Sequence, residues 1–126
     1  MKQQNELLFN DKDEEFINLL MGIGTRKPVA QLLVFLANRK EATSDEIERG
    51  TDLRQPYVST AAGYLIRKGW VKSRNTPSLR KGRQKKDYSL ALPMKDIVAT
   101  MEKIREKEVN NKLALIERMK EYLCEG

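Results

Sequence analysis

Apolar residues recur at three- and four-residue spacing along most of this chain, but between residues 70 and 92 the period drops to two. The first helical stretch is "DKDEEFINLLMGIG". Acids crowd its opening turn, Phe16, Leu19, Leu20 and Ile23 form its apolar stripe, and Gly22 and Gly24 mark its end. Thr25 and Pro28 open a second helix, "PVAQLLVFLANRK", which carries Val29, Leu32, Leu33 and Leu36 at helical spacing and Arg39 and Lys40 at its exit. A third, short helix is expected over 44–49. Thr43 and Glu46 fit a capping box at its start, Gly50 is read as its stop, and Ile47 and Leu53 are its anchors.

After a brief turn, "RQPYVSTAAGYLIRKGW" reads as a fourth helix with Pro56 in its first turn and Gly69 at its end. Val58, Ala62 and Leu65 recur at i, i+4 and i+7, so they share the core face. Gly63, inside this helix, costs about 1 kcal/mol relative to Ala, which points to close packing or a nearby ligand. "WVKSR" and "KKDYSLAL" then alternate as two strands around the loop "NTPSLRKGRQ". Tyr88, Leu90 and Leu92 are expected to anchor this hairpin while its tip holds the basic residues out. From 93 to about 123 the pattern returns to helix, with Met94, Ile97, Met101, Ile104, Leu115, Met119 and Leu123 along one stripe. Glu108, Asn111 and Lys112 interrupt that stripe. A helix of this length spans about 45 Å, more than so small a core covers. Either it breaks near Asn110–Asn111 or its distal half packs on another subunit. The expected class is mainly α with a small β-hairpin, in three parts: an N-terminal tail and short helix (1–24), a central domain (25–92) and a C-terminal helix (93–126).

Charge sharpens this picture. The segment 54–86 holds ten basic residues and no Asp or Glu, whereas the rest of the chain carries 14 basic and 18 acidic residues, a net of −4. The whole excess of the +6 chain therefore sits in one segment, and such segregation implies a polyanionic partner. At 126 residues, 40% apolar and 33% charged, the chain fits one soluble globular domain. No run approaches the roughly 18 apolar residues of a spanning helix and no signal-peptide core is seen, so neither membrane nor export is expected. The lone Cys124 suits a reducing cytoplasm, and with no His a metal site or other cofactor is not expected. A redox role for Cys124 is left open. Enzymatic chemistry has no candidate: there is no His, no glycine-rich phosphate loop and no nucleophile with a partner base.

Short helix, turn, helix and hairpin in this order form a helix-turn-helix with a wing. The stretches "TSDEIERGTDLRQPYVSTAAGYLIRKGWV" and "GRQKKDYSL" resemble the winged-helix DNA-binding domains of prokaryotic, archaeal-like transcription regulators of the MarR, ArsR and TrmB-like groups. The resemblance covers about residues 28–92. The chain departs from it at Ala62, where a larger aliphatic is common, and in a longer wing loop. It implies a winged helix-turn-helix with a long C-terminal dimerisation helix, acting as a cytoplasmic homodimer on double-stranded DNA. The recognition helix, about 55–68, would enter the major groove, and the wing, about 74–86, would meet the backbone or minor groove.

With Val58, Ala62 and Leu65 inward, Gln55, Tyr57, Ser59 and Thr60 face out as candidate base readers. Arg54, Arg67, Lys72, Arg74, Arg80, Lys81, Arg83, Lys85 and Lys86 are the candidate backbone or wing contacts. Met94, Ile97, Met101, Ile104, Leu115, Met119 and Leu123 are the candidate dimer interface. The competing expectation is a winged-helix module that binds protein or RNA within a larger assembly.

Overall fold

The computed structural model describes residues 9–77 and 84–124. Its elements are α1 (Asp11–Gly22), α2 (Lys27–Ala37), β1 (Ala42–Thr43), α3 (Ser44–Thr51), α4 (Gln55–Lys68), β2 (Val71–Pro77), β3 (Gln84–Leu90) and α5 (Met94–Cys124). The chain divides into two compact units, Met1–Pro93 and Met94–Gly126. The first unit is a winged helix-turn-helix: α3 and α4 are the two helices of the motif and β2 and β3 are the strands of the wing.

In the first unit α2 is the central element. Val29, Ala30, Leu32, Leu33, Val34, Phe35 and Leu36 are all buried, so this helix is apolar nearly all round, as a helix surrounded by others must be. It starts one residue later than a cap at Thr25 would give. Arg26 is the N-cap without a side-chain bond, Pro28 lies in the first turn, and the Thr25 N–H bonds to Leu20 O at 3.1 Å to close α1. The helix ends at Ala37, and Arg39 folds back over the Phe35 ring at 4.4 Å.

The face of α1 differs from the expected stripe. Ile17 and Leu20 are buried and Phe16 is half-buried, whereas Leu19 and Ile23 are exposed. The capping box of Asn10 and Asp13 sets where α1 begins, and the same Asp13 carboxylate accepts from Asn38 Nδ2 at 3.2 Å just beyond α2. That tether, with the position of α2, selects which side of α1 is covered.

α3 opens on the expected capping box: Glu46 N–H to Thr43 Oγ1 at 3.2 Å and Thr43 N–H to Glu46 Oε1 at 2.9 Å. It does not stop at Gly50. Gly50 lies inside the helix, and a Cβ built there would overlap Phe35 Cε1. The glycine is there to let α3 lie against the Phe35 ring, a long-range demand that its neighbours in sequence do not reveal. Asp52 makes the stop instead, in the left-handed region at φ 63°, a conformation that Asp tolerates better than most residues. Thr51, buried, seals the turn by donating to Ile47 O at 2.6 Å and accepting from the Leu53 N–H at 3.2 Å.

The sheet has three antiparallel strands in the order β1-β3-β2, one more than a hairpin. Ala42 pairs with Tyr88 and Thr43 with Asp87, so the two residues leading into α3 form an edge strand. Two residues are too few to carry an alternation pattern; their partner across the sheet defines them as a strand. Between β2 and β3 the register runs from Val71 opposite Leu90 to Pro77 opposite Gln84. Trp70, Val71 and Tyr88 are buried and Leu90 is half-buried. Leu92 is exposed and does not anchor the hairpin. β3 ends at Leu90, the Ala91 N–H bonds back to Trp70 O at 2.8 Å, and the chain then turns towards Pro93.

The second unit is one uninterrupted helix. α5 runs 31 residues with no break at Asn110–Asn111, so that alternative is excluded. Ile97 and Met101 are buried, Met94 and Ile104 half-buried, and from Glu106 to Cys124 every side chain is exposed. None of the described helices is long and apolar enough to cross a membrane.

Candidate nucleic-acid interface

The interface is built on α4. Arg54 occupies its N-cap position without a side-chain bond, Pro56 sits in its first turn, and Gly69 at φ 81° ends it in the left-handed conformation that glycine adopts without strain. Val58, Ala61, Ala62 and Leu65 are buried, which fixes the rotation of the helix about its axis. The predicted inward trio is therefore observed, with Ala61 added. The short side chain at Ala62 is enclosed, so a small residue suffices at that core position.

Rotation in turn decides what faces solvent. Gln55, Tyr57, Ser59 and Thr60 are all exposed. Gln55 Nε2 donates to Ser59 Oγ at 3.0 Å, an i, i+4 pair that holds the amide along the helix surface. Pro56, Thr60 and Arg67, all exposed, and the half-buried Gly63 lie along the ridge opposite the buried row. Lys68 lies 5.5 Å from the Tyr64 ring centroid, within α4, and 5.7 Å from that of Trp70, so one cation–π contact ties the last turn of α4 to the root of the wing.

On the wing, Lys72, Arg74 and Lys86 are exposed. Arg74 stands opposite Asp87 in the sheet register and its guanidinium reaches Glu41 at 3.1 Å and Asp87 at 3.6 Å. Its charge is thus shared with two acids, whereas among the described residues no ion pair reaches Arg54, Arg67, Lys72 or Lys86. The Glu41–Arg74 contact joins residues 33 apart and could not be read locally. Arg80, Lys81 and Arg83 lie outside the described residues, as does the Lys85 side chain.

On α5 the predicted positions Leu115, Met119 and Leu123 are exposed, as are Val109, Leu113, Ile116 and Tyr122, which the stripe omitted. Val109, Ile116 and Leu123 are spaced by seven residues, with Leu113 four after the first. This heptad spacing was legible in the sequence but hidden by extending a single 3.6-residue stripe from Met94 through the polar positions Glu108 and Asn111.

Residues 23–84 match the MarR family. No curated protein matches the chain. Among solved structures, Stf76 from the Sulfolobus islandicus plasmid-virus pSSVx is 23% identical, with 60% of this chain and 92% of that one covered at a TM-score of 0.46. M. tuberculosis Rv0081 is 20% identical, with 82% and 99% covered, also at a TM-score of 0.46.

Proposed function

Because residues 23–84 are a MarR-like winged helix-turn-helix, the fold of a family of DNA-binding transcription regulators, we propose that this chain is a sequence-specific regulator that binds duplex DNA as a homodimer. In this reading α4 enters the major groove and the wing lies on the backbone or in the minor groove. The observation that carries it is the coincidence of two independent features. The helix that the fold presents outward, together with its wing, is the one segment of the chain rich in basic residues and free of acids, 54–86. A face built to bind protein would interleave acids or offer a continuous apolar patch there.

Arg54, Arg67, Lys72 and Lys86 supply phosphate contacts, and Arg80, Lys81, Arg83 and Lys85 extend them along the wing. Arg74 contributes less until phosphate displaces Glu41. Replacing Arg54, Arg67, Lys72 and Lys86 by Ala should weaken binding to all duplexes alike. The slope of log affinity against log salt should shrink by about 0.9 for each phosphate no longer neutralised. Anisotropy titrations at several salt concentrations read this directly, and an unaltered slope would remove these residues from the interface. Structured RNA run alongside separates the RNA-binding alternative, which requires it to compete better than duplex DNA.

Gln55 and Ser59 are expected to read as a unit, since one holds the other. Gln can pair bidentately with adenine, and removing a good pair costs about 1–3 kcal/mol at that base pair. Gln55→Ala and Ser59→Ala should therefore relax preference at the same position, with the double variant little worse than either single one. Relaxed preference at two separate base pairs, additive in the double variant, would show independent readers.

The homodimer is supported by α5, whose distal half leaves Val109, Leu113, Ile116, Met119 and Leu123 exposed in one chain. A run of that size has a reason to be covered, and heptad spacing is the pattern by which helices cover each other.

A further inference from the structure

The first unit has two glycines inside the helices of the helix-turn-helix, and they answer to different demands. At Gly50 a Cβ would strike the Phe35 ring, so the protein's own packing requires the glycine. At Gly63 a Cβ would meet only Arg67 Nη1, at 3.6 Å, an ordinary contact with the flexible end of a side chain. Gly63 also lies in the middle of α4, where a glycine weakens the helix relative to alanine. No left-handed backbone excuses it, since among the described residues positive φ occurs only at Gly24, Asp52 and Gly69. Internal packing therefore gives no reason for it, contrary to one of the two explanations the sequence allowed.

Its location supplies one. Gly63 sits on the outer ridge of α4 between Thr60 and Arg67, directly opposite the buried row of Val58, Ala62 and Leu65. Pro56, Thr60 and Arg67 are exposed along that ridge and Gly63, which has no side chain of its own, lies half-buried between them, with only the flexible end of Arg67 near its Cβ position. A missing side chain there lowers the ridge and lets a surface come against the helix backbone.

We propose that Gly63 sets the depth at which α4 seats in the major groove, as the point of closest approach between the helix backbone and the DNA. This rests on the DNA-binding reading above and adds to it a specificity-determining position that makes no hydrogen bond. Thr60 and Arg67, one turn to either side, reach base edges or phosphates because the glycine between them does not hold the helix away. Added bulk at 63 lifts the helix and lengthens every contact along the ridge at once.

The test uses the full chain with Gly63→Ala, Gly63→Leu and, as control, Gly22→Ala, where an added methyl in α1 meets nothing within 4 Å. The probe is a duplex enriched by the wild-type chain from random sequence. Gly63→Ala should raise Tm by about 4 °C through helix propensity while weakening binding to that duplex about tenfold, the scale of one mismatched base pair. Gly63→Leu should bind more weakly still, and Gly22→Ala should bind as wild type does. A Gly63→Ala variant that binds as tightly as wild type overturns the proposal. So does one that melts lower than wild type, because the glycine would then serve the fold. If the wild-type chain enriches no duplex, the DNA-binding reading itself fails, and that result is distinct because it appears before any substitution is made.

Discussion

Gly50→Ala is expected to be the most destabilising single-methyl addition in the helix-turn-helix. The new Cβ would overlap Phe35 Cε1 and fall 2.8 Å from Cζ, far inside contact distance. The ring has little room to retreat: Phe35 is 1% exposed, meets Phe9 edge-on with ring centroids 6.4 Å apart, and carries the Arg39 guanidinium on its face. Forcing a methyl into a packed core costs about 1–3 kcal/mol, which corresponds to a drop in Tm of about 10 °C for a unit of this size. Thermal denaturation followed by circular dichroism measures it. A smaller ring partner should relieve the clash, so Gly50→Ala should cost much less in a Phe35→Leu background than in the wild type. Strict additivity would mean that something other than the ring excludes the methyl.

Leu113→Glu combined with Ile116→Glu should convert the protein to a monomer without unfolding it. Both side chains are about half exposed in the single chain, 54% and 44%, so carboxylates there leave the helix intact when it is unpaired but are trapped in any apolar seam. Helicity should be unchanged while sedimentation falls to the monomer value. A regulator that reads two half-sites about 34–36 Å apart gives up the gain of linked binding when it is split. Affinity for a paired site should therefore drop about 100-fold or more, while affinity for a single half-site changes little. A wild-type chain that already sediments as a monomer, or a double variant that remains dimeric, would defeat the dimer assignment.

The elements that read correctly from sequence are those whose causes are local. The box of Thr43 and Glu46 starts α3 because its two hydrogen bonds span only three residues. Pro56 and Gly69 bracket α4 because each acts through its own backbone angles. The switch to a period of two marks the wing because alternation is a property of the strand itself. The inward row of α4 was equally legible, and with it the outward set of Gln55, Tyr57, Ser59 and Thr60, since on a helix one face defines the other. The excess of positive charge needed only a count along the chain.

What tertiary structure decided depends on partners far away in sequence. Ala42 and Thr43 are a strand only because Tyr88 and Asp87 lie beside them, and two residues carry no period of their own. Gly50 resembles a helix stop because glycine commonly is one; the ring of Phe35, fifteen positions earlier, makes it an interior packing position instead. Leu19 and Ile23 are as apolar as Ile17 and Leu20, and which pair is buried follows from where α2 lies, not from α1. The same holds for charge. By sequence Arg74 counts among the free cations of the wing, but antiparallel register sets Asp87 across from it and the fold brings Glu41 alongside. Local sequence thus determined the helices, the two strands of the wing and which side of α4 faces out. The choice between glycines that serve the core and a glycine left over for a partner required the packed structure, because a side chain that is absent shows its purpose only through what would have occupied its place.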